Sequence, residues 1–251
     1  MEQNNLSKPY MLDLNNLQPG FSIDCVIFSF YKKKIRVLLN KFAFSNYWHL
    51  PGGFLFKDES VEDASKRILK GRIGITDLYL KQFHLFSDPH RISKEQNLEY
   101  VEALSSVEEI KQWFLQRFIT LGYYAFVKYD MVELPTSERD VTQWFAADDL
   151  PVLYSDHGNI IKTSLECISA TLPIVPVGHK LLPEKFTMSE LRQVYEYFLG
   201  RTIDRRNFQR KALASGIIIQ LDETKNDSPY NPPMLYSFKK GKMDLGEFWI
   251  F

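Results

Sequence analysis

Residues 53–75 read GFLFKDESVEDASKRILKGRIGI, and this stretch decides the fold of the chain. Apolar residues recur at i, i+3, i+7 and i+8 from Val61, which predicts one face of an amphipathic helix. Ser60 with Asp63 three residues later is a capping signal for the start of that helix. An ordinary packing helix would explain the periodicity. It would not explain the preceding segment 48–53, WHLPGG, or the spacing of Gly, Glu and Arg across the stretch.

This spacing resembles a Nudix box, G-x5-E-x7-R-E-U-x-E-E-x-G-U, in which U is an aliphatic residue. The positions that fall in register are Gly53, Glu59, Arg67, Leu69, Gly74 and Ile75. An aromatic residue followed by a hydrophobic one and Pro-Gly-Gly, as in 48–53, is the usual lead-in to such a box. The resemblance implies an α+β fold, an N-terminal Nudix-like α/β/α sandwich.

Three carboxylates should follow the arginine of the box, and this chain has Ile68, Gly71 and Arg72 in their place. On a helix these positions share one face, so three glutamates there could converge on one ion. Mg²⁺ needs oxygen ligands, and metal-assisted hydrolysis needs the ion to activate water. Arg72 brings positive charge to that face instead. The sequence therefore predicts no catalytic residue, no metal ligand and no cofactor, and it favours sensing over hydrolysis.

Composition sets the broad class of the protein. A chain of 251 residues with 45% hydrophobic residues predicts two domains with real cores. The formal net charge is zero, so global charge indicates neither nucleic acid nor membrane as a partner. Cys25 and Cys167 are far apart and form no disulfide framework, and the N-terminus lacks the pattern of a signal peptide. With no apolar run of about 18 residues, we expect a cytoplasmic protein without a membrane span.

The domain organisation follows from local changes in pattern. Residues 1–20 are polar and are interpreted as an N-terminal arm, and residues 21–171 as the Nudix-like effector-binding domain. Residues 172–178, LPIVPVG, are rich in proline and lack helical periodicity, which predicts an extended connector. Residues 179–251 then form a second domain.

Two segments of the first domain depart from a plain sandwich. Residues 31–34, YKKK, separate two apolar strands and predict a hairpin with a solvated lysine turn. Residues 92–117 are an insertion, and residues 107–118, VEEIKQWFLQRF, predict an amphipathic helix within it. That helix either covers a sheet edge or a dimer surface, or forms a lid over a ligand cleft.

The second domain has the pattern of a winged helix-turn-helix. Thr187 and Glu190 form a capping box for a helix over 188–199, which Gly200 ends. Asp204 caps a second helix over 205–214, so two short helices are joined by a four-residue link. Strands 217–221 and 235–238, joined by a polar turn, would form the wing.

The second of these helices is strongly basic in a neutral chain. Residues 201–211 contain five basic residues and one acid, although a solvated helix surface could also look like this. Arginine and glutamine read guanine and adenine edges, and helix N-termini favour phosphate. The candidate DNA-binding residues are Thr187, Arg205, Arg206, Asn207, Gln209, Arg210, Lys211, Lys239 and Lys240.

The run from Leu181 to Gly216 resembles the C-terminal winged helix of the Nudix-related transcriptional regulators. The matching residues are LLPEKFT at 181–187, Tyr195, Leu199-Gly200 and IDRRNF at 203–208. The resemblance implies a homodimer that reads palindromic double-stranded operator DNA. One branch of the family senses ADP-ribose, and another, with a degenerate box, senses sugars such as arabinose.

The resemblance implies a small-molecule effector that is a sugar or ADP-ribose-like, and the residues alone favour a neutral or singly charged one. Candidate ligand-binding residues are Lys41, Trp48, Glu59, Arg67, Asp88, Arg91 and Tyr123. Asp156 and His157 could contact a ligand, but they are read as helix-capping residues. Two alternatives stay open. One is a Nudix hydrolase of ADP-ribose-like compounds that uses displaced acids such as Glu99. The other is a sensor that acts through protein contacts.

Overall fold

The computed structural model describes residues 17–75, 78–132, 140–172, 177–225 and 232–239. Within the described residues, the first part of the chain contains six strands and four α-helices. The strands are β1 (Leu17–Tyr31), β2 (Lys34–Phe42), β3 (Gly52–Phe56), β4 (Lys81–Phe86), β5 (Ile119–Phe126) and β6 (Asp140–Ala146). The helices are α1 (Val61–Ile73), α2 (Lys94–Leu104), α3 (Glu108–Leu115) and α4 (His157–Thr171).

The sheet of the first part has the order β4-β5-β1-β2-β6, and β3 pairs with β1. Strand β1 is parallel to β5 and antiparallel to β2 and β3. Its apolar side chains serve both faces of the sheet. Ile23, Cys25 and Ile27 share a core with α1, whereas Val26 and Phe28 share a core with α4. Helices on both faces of one sheet give the α/β/α sandwich that the box predicted.

The second part has the element order of a winged helix. Its elements are α5 (Val177–Leu181), β7 (Phe186–Thr187), α6 (Met188–Leu199), α7 (Arg205–Ala214), β8 (Ile218–Thr224) and β9 (Met234–Phe238). The three strands form a sheet in the order β7-β9-β8. Thr187 and Glu190 make the predicted capping box, and Gly200 ends α6 with φ of 64°. Asp204 accepts a hydrogen bond from the Asn207 amide at the start of α7.

The structure differs from the predicted bounds of two segments, the N-terminal arm and the connector. The arm was assigned to residues 1–20, but Leu17–Gly20 already belong to β1, and residues 1–16 lie outside the described part. The connector was predicted as extended over 172–178. Leu172 is buried at the end of α4, and Val177 and Gly178 begin α5, because these small or apolar residues pack into the core. Residues 173–176 lie outside the described part, and the domain boundaries stay predictions.

The insertion contains one helix more than the sequence predicted. The amphipathic helix is present as α3, with Ile110 and Phe114 buried. Helix α2 precedes it and was missed, because its sequence, KEQNLEYVEAL, has only a weak apolar face. Val101 and Leu104 of α2 pack against α3 in a small core of their own.

A continuous apolar core joins the sandwich to the winged helix. Phe198 of α6 meets Phe28 and Phe126 of the sheet edge-on, with ring centroids 5.6 and 5.7 Å apart. Phe198 is 3% exposed, so the contact is removed from water. In this structure the two parts are therefore packed against each other rather than only tethered.

None of the helices in the described residues is both long enough and apolar enough to cross a membrane.

Candidate functional site

The Glu and Arg of the box clamp α1 onto β3. Arg67 donates to both carboxylate oxygens of Glu59, at 2.9 and 2.5 Å, and to the Phe54 carbonyl at 2.8 Å. Glu59 also accepts from the Phe56 amide at 2.8 Å. The hydrogen bond from Arg67 is the main cause that lowers the pKa of Glu59. The glutamate is thus a carboxylate whose hydrogen bonds are satisfied within the motif.

The three substituted box positions leave no site for a cation. Ile68 is buried against Gly53, where an added Cβ would lie 3.0 Å from its Cγ1. Gly71 offers no side chain. Arg72 donates from Nε to the Gly52 carbonyl at 3.2 Å and lies 3.6 Å from Asp140. The described residues contain no group of three His, Cys, Asp or Glu side chains that could hold a metal ion. The Mg²⁺ that a Nudix box implies does not fit these residues.

A cavity of about 130 Å³ lies beside the box, between the sheet, the insertion and the start of α4. Arg72 reaches it from α1, and its guanidinium carbon is 5.1 Å from the Phe42 ring centroid. The polar residues that line the cavity include Ser22, Asp24, Asn40, His49, Arg72, Arg91, Asn97, Thr120, Ser155, Asp156 and His157. The aromatic residues that line it are Phe42, Phe54, Tyr100, Phe114, Phe118 and Tyr154.

Arg91 and Asp156 form a two-point ion pair in the cavity wall. Nε and Nη2 of Arg91 donate to the two Asp156 oxygens at 2.8 and 2.7 Å, and Nη1 donates to Thr120. The side chains are 6% and 14% exposed. A paired, planar guanidinium of this kind is held in one orientation. Asp156 precedes α4 but makes no side-chain cap, so its predicted capping role is wrong.

Other polar groups of the cavity lack partners among the described residues. The Oδ1 atom of Asn40 and the Nε2 atom of His49 are buried without a hydrogen bond. The Asp24 side chain is 11% exposed, and its Oδ2 atom lies 4.0 Å from Nε2 of His157. Buried polar groups are normally paired, so such groups in a cavity wall suit a ligand or bound water.

Burial favours the neutral forms of three ionisable groups of this cavity, Asp24, His49 and His157. It raises the pKa of Asp24 to about 7, although nearby Arg91 lowers it. Burial also lowers the pKa of His157 to about 4 and that of His49 to about 2. Nδ1 of His157 accepts from the Leu50 amide at 2.9 Å, which also requires a neutral ring.

The insertion forms the cover of the cavity. Tyr154 donates to Asn97 of α2 at 2.8 Å, and the Ser155 amide donates to Gln96 at 2.8 Å. Ser155 also donates from its hydroxyl to the Arg91 carbonyl, and its φ is 48°, which is uncommon outside glycine. The contacts support the lid alternative for the insertion, because α2 and α3 contribute cavity-lining residues.

The structure places one of the seven predicted ligand-binding residues, Arg91, in the cavity wall. Lys41 lies over the ring of Trp48, which packs edge-on against Phe145. Asp88 is exposed and accepts from the His90 amide, and Tyr123 is buried on the α1 face of the sheet. Glu59 and Arg67 pair with each other. None of these six residues lines the cavity, and their contact with a ligand stays a prediction.

Sequence reasoning missed Asp24, Asn40, His49, Tyr100 and Tyr154. Asp24 had a signal, since it is the one charged residue in the apolar strand 21–30. Gly52 leaves room for it, because a Cβ there would lie 2.2 Å from its Oδ1. The other residues gave no signal, because strand pairing and the fold of the insertion bring them together.

The predicted DNA-binding residues separate into an exposed set and a structural set. Arg205, Arg206, Asn207 and Arg210 are exposed on α7, and Arg210 donates to Asn207 at 2.8 Å. Gln209 is half-buried and donates to the Tyr236 hydroxyl at 3.2 Å. Thr187 is buried in its capping box, Lys211 is half-buried, and Lys239 is exposed after β9. Lys240 lies outside the described residues.

Residues 178–238 match the family model described as the NrtR DNA-binding winged helix domain. The second domain is an NrtR-type winged helix. With the Nudix-like sandwich before it, the chain has the domain composition of the NrtR-type, Nudix-related transcriptional regulators.

Relatives of known structure or name cover most of the chain. The Acinetobacter baylyi protein named "ADPR responsive transcriptional repressor NtrR" is 23% identical, over 88% of this chain and 82% of its own length. Shewanella oneidensis NrtR complexed with a 27mer DNA is 24% identical with a TM-score of 0.63, over 87% and 93%. A MutT/nudix family protein from Enterococcus faecalis is 23% identical with a TM-score of 0.61, over 88% and 87%. These two structures support the two-domain fold.

Proposed function

We propose that this protein is a cytoplasmic, ligand-responsive transcriptional regulator. A homodimer binds operator DNA through its two winged helices, and a small effector in the cavity changes that binding. The observation that carries the proposal is the exposed set of Arg205, Arg206, Asn207 and Arg210 on the second helix of an NrtR-type winged helix. Arginine and asparagine in that position can contact bases and phosphates.

The cavity suits an effector with a hydroxylated ring. Oδ1 of Asn40 and the carboxylate of Asp24 accept hydrogen bonds, so they call for ligand donors such as hydroxyls. The aromatic residues Tyr100 and Tyr154 offer ring faces against which a sugar can pack. Both guanidiniums already have partners, Arg91 with Asp156 and Arg72 with Asp140. The cavity therefore offers more to a sugar ring than to a diphosphate.

A free sugar and an ADP-ribose-like compound both contain such a hydroxylated ring. The relative from Acinetobacter baylyi is named for its response to ADPR, the common abbreviation of ADP-ribose. In ADP-ribose the terminal ribose could enter the cavity while the diphosphate stays outside. Binding of free pentoses, ADP-ribose and AMP by calorimetry separates these cases. AMP is the comparison, because it carries a phosphate and a nucleoside but lacks the terminal ribose of ADP-ribose.

Hydrolysis is not part of the proposed function. Metal-assisted attack on a diphosphate needs a bound cation, and Ile68, Gly71 and Arg72 supply no ligand for it. Incubation of the protein with Mg²⁺ and ADP-ribose should therefore release no phosphate-containing product. Turnover of about 1 s⁻¹, an ordinary enzyme value, that was abolished in Glu59→Gln would favour the hydrolase alternative instead.

Helix α4 connects the cavity to the winged helix. Asp156 and His157 stand at its start in the cavity wall, and Ile160, Ile161 and Ile168 lie in the core that also holds Phe198 of α6. A ligand that displaces the start of α4 would therefore press on the first helix of the helix-turn-helix. Packed cores tend to switch between discrete arrangements rather than deform gradually.

Binding of the protein to its own upstream DNA tests the proposal most directly. We expect a gel-shift complex that contains two protomers and whose affinity changes when an effector is added. By linkage, the effector's affinity for the protein must change by the same factor between the free and the operator-bound states. A protein that binds no upstream DNA, yet captures a protein partner through Arg205 and Arg206, would favour the third alternative.

A further inference from the structure

We infer that the lysine turn of the first domain, Lys32-Lys33, is a second DNA-contacting element that binds backbone phosphates beside the wing. The inference rests on the proposed DNA-binding function and extends it to a part of the molecule outside the winged helix. In the sequence these lysines form only a solvated turn. The structure adds their backbone conformation, their lack of carboxylate partners within the described residues, and their position.

The backbone of the turn is one that lysine disfavours. Strands β1 and β2 pair up to Tyr31 and Lys34, which leaves a two-residue loop. Both loop residues have positive φ, 49° at Lys32 and 63° at Lys33. This is the type I′ geometry for which Asn-Gly is strongly preferred. Non-glycine residues held in this region cost stability, and they cluster at functional sites.

The two side chains are free to contact a ligand. Lys32 and Lys33 are exposed, and within the described residues neither has a carboxylate partner. Lys32 lies 5.4 Å from the ring centroid of Tyr31, and Tyr31 stacks on Tyr129 at 3.9 Å with an 8° angle between the rings. Lys34, by contrast, pairs with Asp148. The stacked tyrosines give the turn a rigid base.

The position of the turn relates it to the DNA-binding face. A groove lined by Lys32, Lys33 and Lys128 continues to Glu190 in the first turn of α6 and to Lys225 at the start of the wing turn. A second groove, which Met188 and Ser189 at the start of α6 also line, is lined by Arg205 and Gln209 of α7. The first turn of α6 thus contributes to both the groove of the recognition helix and the groove of the lysine turn.

The first groove contains acidic as well as basic residues, so it is not a uniformly positive surface. Its lysines are therefore expected to contact individual phosphates. Glu190 is neutralised by Lys225 at 2.6 Å, but Asp130 and Glu184 also line the groove. Among the described residues of this groove, the exposed cations without carboxylate partners are those of the turn. A duplex that lies along α7 and touches the wing would bring a backbone phosphate within reach of Lys32 or Lys33.

The experiment replaces the turn by the sequence that its backbone prefers. Lys32→Asn/Lys33→Gly should raise the melting temperature, because Asn and Gly tolerate positive φ. The same variant should bind upstream DNA about tenfold or more weakly at about 50 mM salt, and the slope of log K against log salt should become shallower by about 0.9 for each phosphate that is no longer neutralised. Lys32→Gln/Lys33→Gln should reduce the slope equally while it keeps long side chains in the turn.

The matched control is Lys66→Gln/Lys70→Gln. It removes two exposed lysines from α1, on the sheet face opposite the winged helix, and should leave the slope at the parental value. An unchanged slope in both turn variants would overturn the inference, and so would an equal reduction in the control. If the parent itself binds no upstream DNA, the proposed function fails first, so the two failures are distinguishable.

Discussion

The box region around α1 and the recognition region around α7 hold their polar groups in opposite ways. In the box region Arg67 pairs with Glu59, and Arg72 contacts Gly52 and Asp140. The nearby buried polar groups without a partner line the cavity. On α7 the arginines face solvent. The box residues can thus keep a structural role without a catalytic one, because they pair with each other. A recognition surface depends on side chains that stay exposed. Substitutions in the first region should change stability, and those in the second should change affinity.

The largest expected effect comes from restoring a box carboxylate. Ile68→Glu places a carboxylate in the core beside Gly53, so it loses apolar burial and adds an unpaired buried charge. We expect the free energy of unfolding to fall by at least about 4 kcal/mol. Chemical denaturation measures this, with the exposed neighbour Lys66→Glu as control. A fall below about 1 kcal/mol would mean that a carboxylate at position 68 reaches solvent and is not buried.

The next effect concerns Asp24 and depends on pH. Its pKa rises from 3.8 in the unfolded chain to about 7 in the folded protein. Its contribution to the free energy of unfolding is therefore fully present below about pH 4 and is lost as pH rises through about 7. Asp24→Asn should exceed the parent in stability by up to about 4 kcal/mol at about pH 8, since one pKa unit corresponds to about 1.4 kcal/mol.

Denaturation of both proteins between about pH 4 and about pH 8 gives that difference. Burial lowers the pKa values of His49 and His157 to about 2 and about 4. Their contribution to the free energy of unfolding is therefore lost as pH falls, which is the opposite of Asp24. Their effect is present in both proteins and largely cancels. Asp58→Asn, an exposed aspartate before α1, is the control. A parent-variant difference that stays constant with pH would show that the Asp24 side chain is solvated.

In the recognition region, Arg206→Ala and Arg210→Ala should weaken operator binding and leave unfolding unchanged. An arginine that reads a base should cost about 1–3 kcal/mol of binding and relax specificity at one position. One that contacts phosphate should weaken all sequences and reduce the salt dependence. Fluorescence anisotropy at several salt concentrations distinguishes these, with Arg117→Ala of the first domain as control. Parental binding by both variants would remove α7 as the recognition helix.

The smallest effect is expected at the cover of the cavity. Tyr154→Phe removes the hydroxyl that donates to Asn97, at a cost of about 0.5–1.5 kcal/mol of stability. Tyr79→Phe, at an exposed tyrosine, is the control. Effector affinity should change with Tyr154→Phe, whereas DNA binding without effector should not. A loss of DNA affinity without effector would show that the cavity cover also affects the recognition region.

The sequence predicted local structure better than long-range assembly. The helices α1, α6 and α7 and their caps follow from spacing and capping residues, and the exposed arginines of α7 follow from its basic composition. The cavity could not be predicted in the same way. Asn40, His49 and Tyr154 become neighbours only through strand register and the fold of the insertion, and neither leaves a periodic signal.

The edge-on contact of Phe198 with Phe28 and Phe126 bears on the use of this protein as a building block. A winged helix cut out at the connector would present a bare phenylalanine ring to water, and the sandwich would present two. Each half on its own would then tend to aggregate. An engineered sensor that exchanges either half must carry the matching aromatic face of the other, so the exchangeable unit is the whole pair and not the single domain.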